Sequence, residues 1–417
     1  MSYAPRSRTV LSCALLVATL GAGLTACGQP QANPLSSKPY DAARQITFNG
    51  RPGSTDADPE KPLEVRATGK EGRITDVIAA DAAGRQVAGE LSADGSRWHS
   101  TSPLAAGADY TVRIATEDTT GAPGVRRLNF RTAVGKKKLK VTFGPDAGTY
   151  GVGQPITAEL SQKVKDPRAR AVVERALKVE SKPAVEGSWY WVDDDMLHFR
   201  PREYWPSRAT IKAYSTLEGI KVAKDLYGAP TAPLQLRTGD RIEAITDASS
   251  HYMTVKRNGE VINTIPVTTG KPGYSTRNGV KVVLGKEYFV RMRGTSIGIP
   301  TGTSDSYDLP VYYATRVTWS GEYVHAAPWS TGSQGYANVS HGCTGMSTGD
   351  ASWFFDTVRE GDIVKVVGSW GDTMDPFGNG FGDWNLPWKK WRKGSALLAS
   401  TEQQRDRVYT PRLRPQV

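Results

Sequence analysis

Cysteine is nearly absent from this chain: 3 of its 417 residues, at positions 13, 27 and 343. No stretch sets His, Cys and carboxylates at the spacing that holds a metal ion, so neither a metal nor any other cofactor is expected. Nucleic-acid motifs are missing too, and the basic residues are scattered rather than clustered. Nucleic acid is therefore excluded as a partner, despite a formal net charge of +11. That charge suits an anionic membrane surface or an anionic wall polymer instead. Long apolar runs are also lacking. The uncharged stretch Thr9–Ala26 is short for a stable membrane span and ends beside a cysteine.

What is present reads as several globular domains. A length of 417 residues suggests two to four. Hydrophobic residues at 38% and charged residues at 23% are ordinary for folded domains, and 43 Gly with 26 Pro favour strands and turns over helix bundles. Arg6 and Arg8 ahead of the apolar stretch make an export signal. It closes on "LTAC", Leu24–Cys27, which resembles a bacterial lipobox. The expectation is a signal peptide over 1–26, lipid on the Cys27 thiol, and anchoring to the outer face of the plasma membrane, facing the cell wall. Cys13 then leaves with the signal and Cys27 is capped. Cys343 becomes the lone thiol of an exported protein, which points to a reactive residue or an intermolecular bridge. A buried inert cysteine is the alternative.

Residues 27–45 are polar and rich in Pro and Ser, as in a flexible tether. Two similar blocks follow, 46–136 and 137–240. Each opens on a short strand-like run ("ITF", "VTF") and closes on another ("NFRT", "QLRT"). Runs such as "YTVRIA" and "ATIKAY" alternate apolar and polar residues as half-buried strands do. The expected fold class is mainly β: two immunoglobulin-like sandwiches before a mostly-β catalytic domain at 241–368. "DPRARAVVERALKVE" adds one short helix, and Asp193–Asp195 reads as a solvated hairpin turn. His99 and His198 occupy matching repeat positions, which favours structural roles. In the third block "RNGE" (Arg257–Glu260) reads as a hairpin turn. A helix is expected over "STGDASWFFDTVREG", with Ser347 as its cap and Gly361 just past its end. The Trp-rich stretch after 369 is expected to pack its aromatics on the catalytic block and leave its bases in water.

A thiol attacks only as thiolate, so Cys343 needs a base or a positive field nearby. His325, in "YVHAAPW", and His341, in "VSHGCTG", are the candidates. A strand at "YVHAAP" followed by a loop can return His325 to Cys343. His341 is closer in sequence, but in a tight His-Gly-Cys turn its ring need not face the thiol. Gly342 permits a positive-φ backbone, and such a turn could aim the N–H groups of Gly342 and Cys343 at a developing oxyanion.

The pairing of "VHAAPW" with "SHGC" resembles the catalytic signature of the L,D-transpeptidases, the YkuD-type cell-wall enzymes, in their actinobacterial and mycobacterial lipoprotein form. The likeness spans the third block, including "TTGK" (Thr268–Lys271) and "TRNG" (Thr276–Gly279). It implies Cys343 as nucleophile, His325 as general base and later acid, and the Ala326 carbonyl as the group that orients the imidazole. It implies loop-shaping roles for Ser340 and His341. Tyr307, Met292 and Trp329 match positions lining the substrate cleft and its lid. It further implies transfer from a tetrapeptide donor stem to a diaminopimelate acceptor, with release of D-Ala and a 3→3 cross-link. Carbapenem β-lactams would be covalent inhibitors. Gly345 departs from the family pattern, where Asn or Arg is usual two residues after the cysteine, and so bears on acceptor binding. An L,D-carboxypeptidase or a weakly active envelope-binding lipoprotein are the alternatives. NlpC-type peptidases place the cysteine before the histidine, and sortases need an arginine soon after it; neither holds here.

Overall fold

The computed structural model describes residues 38–69 and 72–398. The expected signal peptide, Cys27 and most of the tether lie outside these residues. Two sandwiches precede a third, mixed domain. In the first, strands Tyr40–Asp41, Pro123–Arg131, Asp109–Asp118 and Gly72–Asp81 form one sheet, and Ile46–Phe48, Glu64–Ala67, Arg97–Ser100 and Gly89–Leu91 form the other. The alternation in Asp109–Asp118 turns Tyr110, Val112 and Ile114 inward, where they meet Trp98, Leu128 and Phe130. The expected tether is shorter than 27–45. Tyr40 and Asp41 already pair with Gly124 and Val125, and Asp41 caps a short turn that buries Ala42.

The second sandwich is built around Trp189, Phe199 and Trp205. Its one helix, Pro167–Ala176, starts where the residue types require: Asp166 accepts the Ala169 N–H at 2.8 Å, and Pro167 takes the first helical position. Asp193 turns the hairpin between strands Gly187–Trp191 and Met196–Pro201, accepting N–H groups from Asp195 and Met196, each at 2.9 Å.

The third domain has a five-stranded sheet in the order Glu260–Pro266, Tyr252–Arg257, Ile242–Asp247, Ile363–Val367, Gly279–Val282. A second sheet runs Gly285–Arg293, Asp308–Arg316, Tyr323–Ala326, Thr344–Met346. Helix Thr348–Thr357 fills the space between them through Ala351 and Phe354, against Val255, Ile265, Val324 and Met346. At "RNGE" Asn258 and Gly259 have φ of 52° and 95°, the pair of positive values a two-residue hairpin loop demands. Ser347 caps the helix by accepting the Asp350 N–H at 3.1 Å. The helix ends at Thr357, earlier than "TVREG" suggests, because the Asp362 carboxylate takes the Arg359 N–H at 2.8 Å and turns those residues out of helical geometry.

The Trp-rich tail corrects a second expectation. Its aromatics pack mainly on the second sandwich. Trp391 is fully buried and donates to Ser188 O at 2.9 Å, and Trp384 stacks edge-on against Tyr204 and donates to Gly153 O at 2.9 Å. Arg200 of that sandwich lies over the rings of Trp384, Trp388 and Trp391 at 4.8, 5.4 and 4.5 Å. Asp383 reaches His198 Nδ1 at 2.8 Å, which is the structural role of that histidine. Asn385 ties the same segment back to the third domain, accepting the Val280 N–H at 2.7 Å. The tail therefore clamps two domains together.

Candidate active site

The site grows from two short parallel strands. Val324 is opposite Thr344, His325 opposite Gly345 and Ala326 opposite Met346. Neighbours in register share a face and the face alternates along each strand. Val324, Ala326 and Met346 enter the core. His325 therefore faces the opposite side, and Cys343, two residues before Gly345, emerges beside it. Both line one cleft of about 1180 Å³. Ser340, His341, Gly342 and Gly345 line it too, with Met292, Tyr307 and Trp329. Ala326 contributes from beneath, through its carbonyl.

The loop joining the strands is pinned by the "TTGK" segment. Thr268 Oγ1 donates to Ala337 O at 2.8 Å, Ser340 N–H reaches Thr269 O at 3.0 Å, and Lys271 N–H reaches Ser340 O at 2.9 Å. Asn338 Oδ1 accepts from the Thr269 N–H at 3.0 Å. Short polar side chains suit this work because they bond the backbone without filling the cleft.

His325 is buried, and its Nδ1 lies 2.8 Å from Ala326 O. A carbonyl can only accept, so Nδ1 carries the hydrogen and Nε2 keeps a free lone pair. Burial lowers the imidazole pKa, against a raising effect of that hydrogen bond. The ring stands 6.1 Å from Trp329.

Cys343 is half-buried, and its thiol donates to Gly321 O at 3.6 Å. Burial pushes the thiol up to about 11; the Tyr323 backbone contact opposes this, Glu322 adds to it and Lys281 counters it. Burial thus works against charge on both groups, favouring the thiol over the thiolate and the neutral imidazole over the imidazolium. Ser340 fixes the loop by donating to Cys343 O at 2.6 Å and accepting the Gly342 N–H at 3.2 Å. The Gly342 N–H, expected to face an oxyanion, is thus engaged inside the loop. Gly342 has φ of 120°, and its carbonyl accepts from Thr276 Oγ1 at 2.8 Å.

The His341 ring packs between Tyr274 and Tyr307, at 4.7 and 5.0 Å, and its Nε2 lies 3.6 Å from Asp305 Oδ1. Asp305 also pairs with Lys271. Its own segment, between strands Gly285–Arg293 and Asp308–Arg316, is thereby latched to the cysteine loop. Met292 and Cys343 pack against the cluster of Val311, Ala314 and Tyr323. At Gly345 an added Cβ would come within 2.9 Å of Ala327 Cβ and 3.2 Å of Thr268 Cγ2. Its N–H and C=O both bond Thr268, at 2.9 Å each. The space for a larger residue is closed in this chain.

Sequence reasoning missed a buried charged group at the back of the cleft. Lys281 Nζ donates to Arg277 O at 2.6 Å and lies 3.0 Å from Glu322 Oε2. Glu322 Oε1 accepts from Arg277 Nη1 at 3.0 Å. The available signals were a lysine inside the apolar run "VKVV" and an acid directly before the histidine strand.

Residues 241–366 match the L,D-transpeptidase catalytic domain family, and residues 54–221, across much of both sandwiches, match a bacterial Ig domain family. L,D-transpeptidase 2 of Mycobacterium tuberculosis is 33% identical over 353 residues, covering 84% of this chain and 85% of that one. The chain belongs to the L,D-transpeptidase family. L,D-transpeptidase 5 of the same species is 30% identical over 95% of this chain and 88% of its own, and L,D-transpeptidase 1 is 40% identical over 54% of this chain and 82% of its own. Among solved structures, an LD transpeptidase in complex with imipenem aligns at 37% identity with a TM-score of 0.48, over 55% of this chain and 99% of its own. L,D-transpeptidase 3 of M. tuberculosis with a faropenem-derived adduct aligns at 32% identity and 0.46, over 54% and 97%. This L,D-transpeptidase thus joins a YkuD catalytic domain to Ig-like sandwiches.

Proposed function

We propose that the enzyme forms 3→3 cross-links between peptidoglycan stems through a thioester on Cys343. The observation that carries this reading is the placement of Cys343 and His325 on one face of adjacent strands, with Nε2 of His325 left as the base. In the first step Nε2 takes the thiol proton as Sγ attacks the carbonyl between the third stem residue and D-Ala. The C–N bond breaks, the imidazolium gives its proton to the departing amine, and D-Ala leaves. In the second step the side-chain amine of a diaminopimelate attacks the thioester. Its proton passes to Nε2, the C–S bond breaks, and Cys343 recovers a proton. The strained carbonyl of a carbapenem would acylate the same sulfur. The lipobox-like "LTAC" supports a lipid anchor on Cys27 and a place at the outer face of the membrane.

The test incubates the soluble ectodomain with disaccharide-tetrapeptide and follows products by mass. Released D-Ala together with cross-linked dimer, both lost in Cys343→Ala, is the expected result. Release of D-Ala with tripeptide alone would make the enzyme an L,D-carboxypeptidase. No turnover and no carbapenem adduct on Cys343 would overturn the catalytic reading.

A further inference from the structure

Lys281 and Glu322 are an unusual pair to find behind a nucleophile. Lys281 occupies an interior position of strand Gly279–Val282, between Val280 and Val282, and only 1% of it is exposed. A lysine there costs more than an apolar residue unless its charge is matched. Glu322 matches it. Glu322 is also buried, and it is fixed three ways. Its carboxylate pairs with Lys281 at 3.0 Å and accepts from Arg277 Nη1 at 3.0 Å, and its backbone N–H donates to Thr318 Oγ1 at 2.8 Å. Glu322 directly follows Gly321, whose carbonyl accepts from the Cys343 thiol, and directly precedes Tyr323, whose backbone also contacts that thiol. The charged pair and the nucleophile thus share one short turn.

We propose that Lys281 and Glu322 are positioning residues that tune the ionisation of Cys343 by opposed charges, the carboxylate favouring the protonated thiol and the ammonium limiting that effect. Other titratable groups that line the cleft with the thiol include His325 and Tyr323 on the histidine strand, Tyr307 from the latched segment and His341 from the cysteine loop. His341 has its own partner in Asp305, which also pairs with Lys271. Arg277 is occupied by Glu322, and Arg316 lies over the Tyr323 ring at 4.6 Å. Among these, only Lys281 and Glu322 join opposite, buried charges at the turn the sulfur rests on. A sulfur kept neutral resists oxidation and adventitious alkylation, and it loses its proton only when substrate aligns His325 with it. The buried pair therefore separates a quiet resting state from a reactive one.

The proposal rests on Cys343 as the nucleophile, and its test reads the thiol directly. Alkylation of Cys343 by iodoacetamide is followed by mass from pH 7 to 9 in folded protein, as judged by near-ultraviolet circular dichroism. Glu322→Gln removes the opposing carboxylate and is expected to speed alkylation at least ~3-fold at each pH, the equivalent of half a pKa unit. Lys281→Met leaves the Glu322 carboxyl beside Arg277 without its buried cation and is expected to slow it by ~3-fold or more. Lys281→Arg, which keeps the charge, and the uncharged pair Lys281→Met with Glu322→Leu are expected to fall between the two single variants. Equal rates in all variants, or shifts of the two single variants in the same direction, would overturn the proposal. Same-direction shifts are what mere loosening of the turn produces. Because alkylation needs no stem peptide, failure here is separable from failure of the transpeptidase reading, which the product assay decides.

Discussion

The Nδ1 of His325 is held 2.8 Å from the carbonyl oxygen of Ala326, its own neighbour in the chain. The orienting group is backbone, so the ring's orientation does not depend on which small side chain fills the core position at 326. Ala326→Ser is expected to leave carbapenem acylation within about 3-fold of the parent, the scale of a modest hydrogen-bond change. His325→Gln removes the base and is expected to cost ~10²- to 10⁴-fold in the same stopped-flow measurement. A large loss in Ala326→Ser would show that the side chain, not the carbonyl, orients the ring.

Two pH profiles should separate on the same sulfur. With the thiol pushed up to about 11, the thiolate is roughly one part in 10⁴ at pH 7. Alkylation by iodoacetamide depends on that fraction and is expected to climb about tenfold per pH unit from 7 to 9. Under the proposed mechanism, acylation by a carbapenem instead uses neutral His325. Burial lowers the pKa of that imidazole, so its basic form persists below the ordinary histidine range. Acylation should therefore stay level from pH 9 down past the usual histidine midpoint, falling only as pH drops through the lowered value. Coincident profiles would mean a preformed thiolate.

Gly345 is expected to resist enlargement. Gly345→Asn must push its Cβ into Ala327 and Thr268, at 2.9 and 3.2 Å. Overpacking of this kind costs roughly 1–3 kcal/mol. The variant should unfold at lower urea concentration and acylate more slowly, because the strain falls on the strand that directly follows Cys343. A gain in acceptor transfer with no loss of stability would show that the pocket can open.

The placement of His325 and Cys343 in one cleft was legible in the sequence because it follows strand arithmetic. A histidine on a four-residue strand and a cysteine just ahead of the next strand return to one face once the loop between them closes. The alternation of "DYTVRIAT" and the Asn-Gly turn at 258–259 were legible for the same reason: each is a local pattern with one physical solution. Contacts between distant segments were not. Nothing near Trp391 announces Ser188, and nothing near Lys281 announces Glu322; such pairs depend on how sheets stack. The tail misled because its tryptophans fit any apolar surface, while their indole N–H groups found carbonyls on the second sandwich. The tether boundary failed on two residues, Tyr40 and Asp41, whose strand exists only as a parallel partner of a segment more than eighty residues away.

Asp362 offers a test of the seam between the catalytic domain and the second sandwich. There Gly151 N–H donates to Glu360 O at 2.7 Å and Gly153 N–H to Gly361 O at 2.9 Å. Burial raises the Asp362 carboxyl to about 7, against the lowering effects of the Arg359 N–H and nearby cations. A raised carboxyl binds its proton in the folded state over a range where the unfolded chain has already lost it. Its contribution to stability is therefore complete below the unfolded value, near 3.9, and is lost as pH rises through about 7. The wild type should lose on the order of a few kcal/mol between pH 5 and 8 from this group. Asp362→Asn keeps an oxygen for the Arg359 N–H and cannot ionise. It should match the wild type only below the unfolded carboxyl's pKa, at about pH 3.5, and exceed it at pH 8, giving a flatter curve of urea midpoint against pH. Parallel curves for the two proteins would mean that Asp362 ionises in the folded state at an ordinary pH, with water reaching the seam.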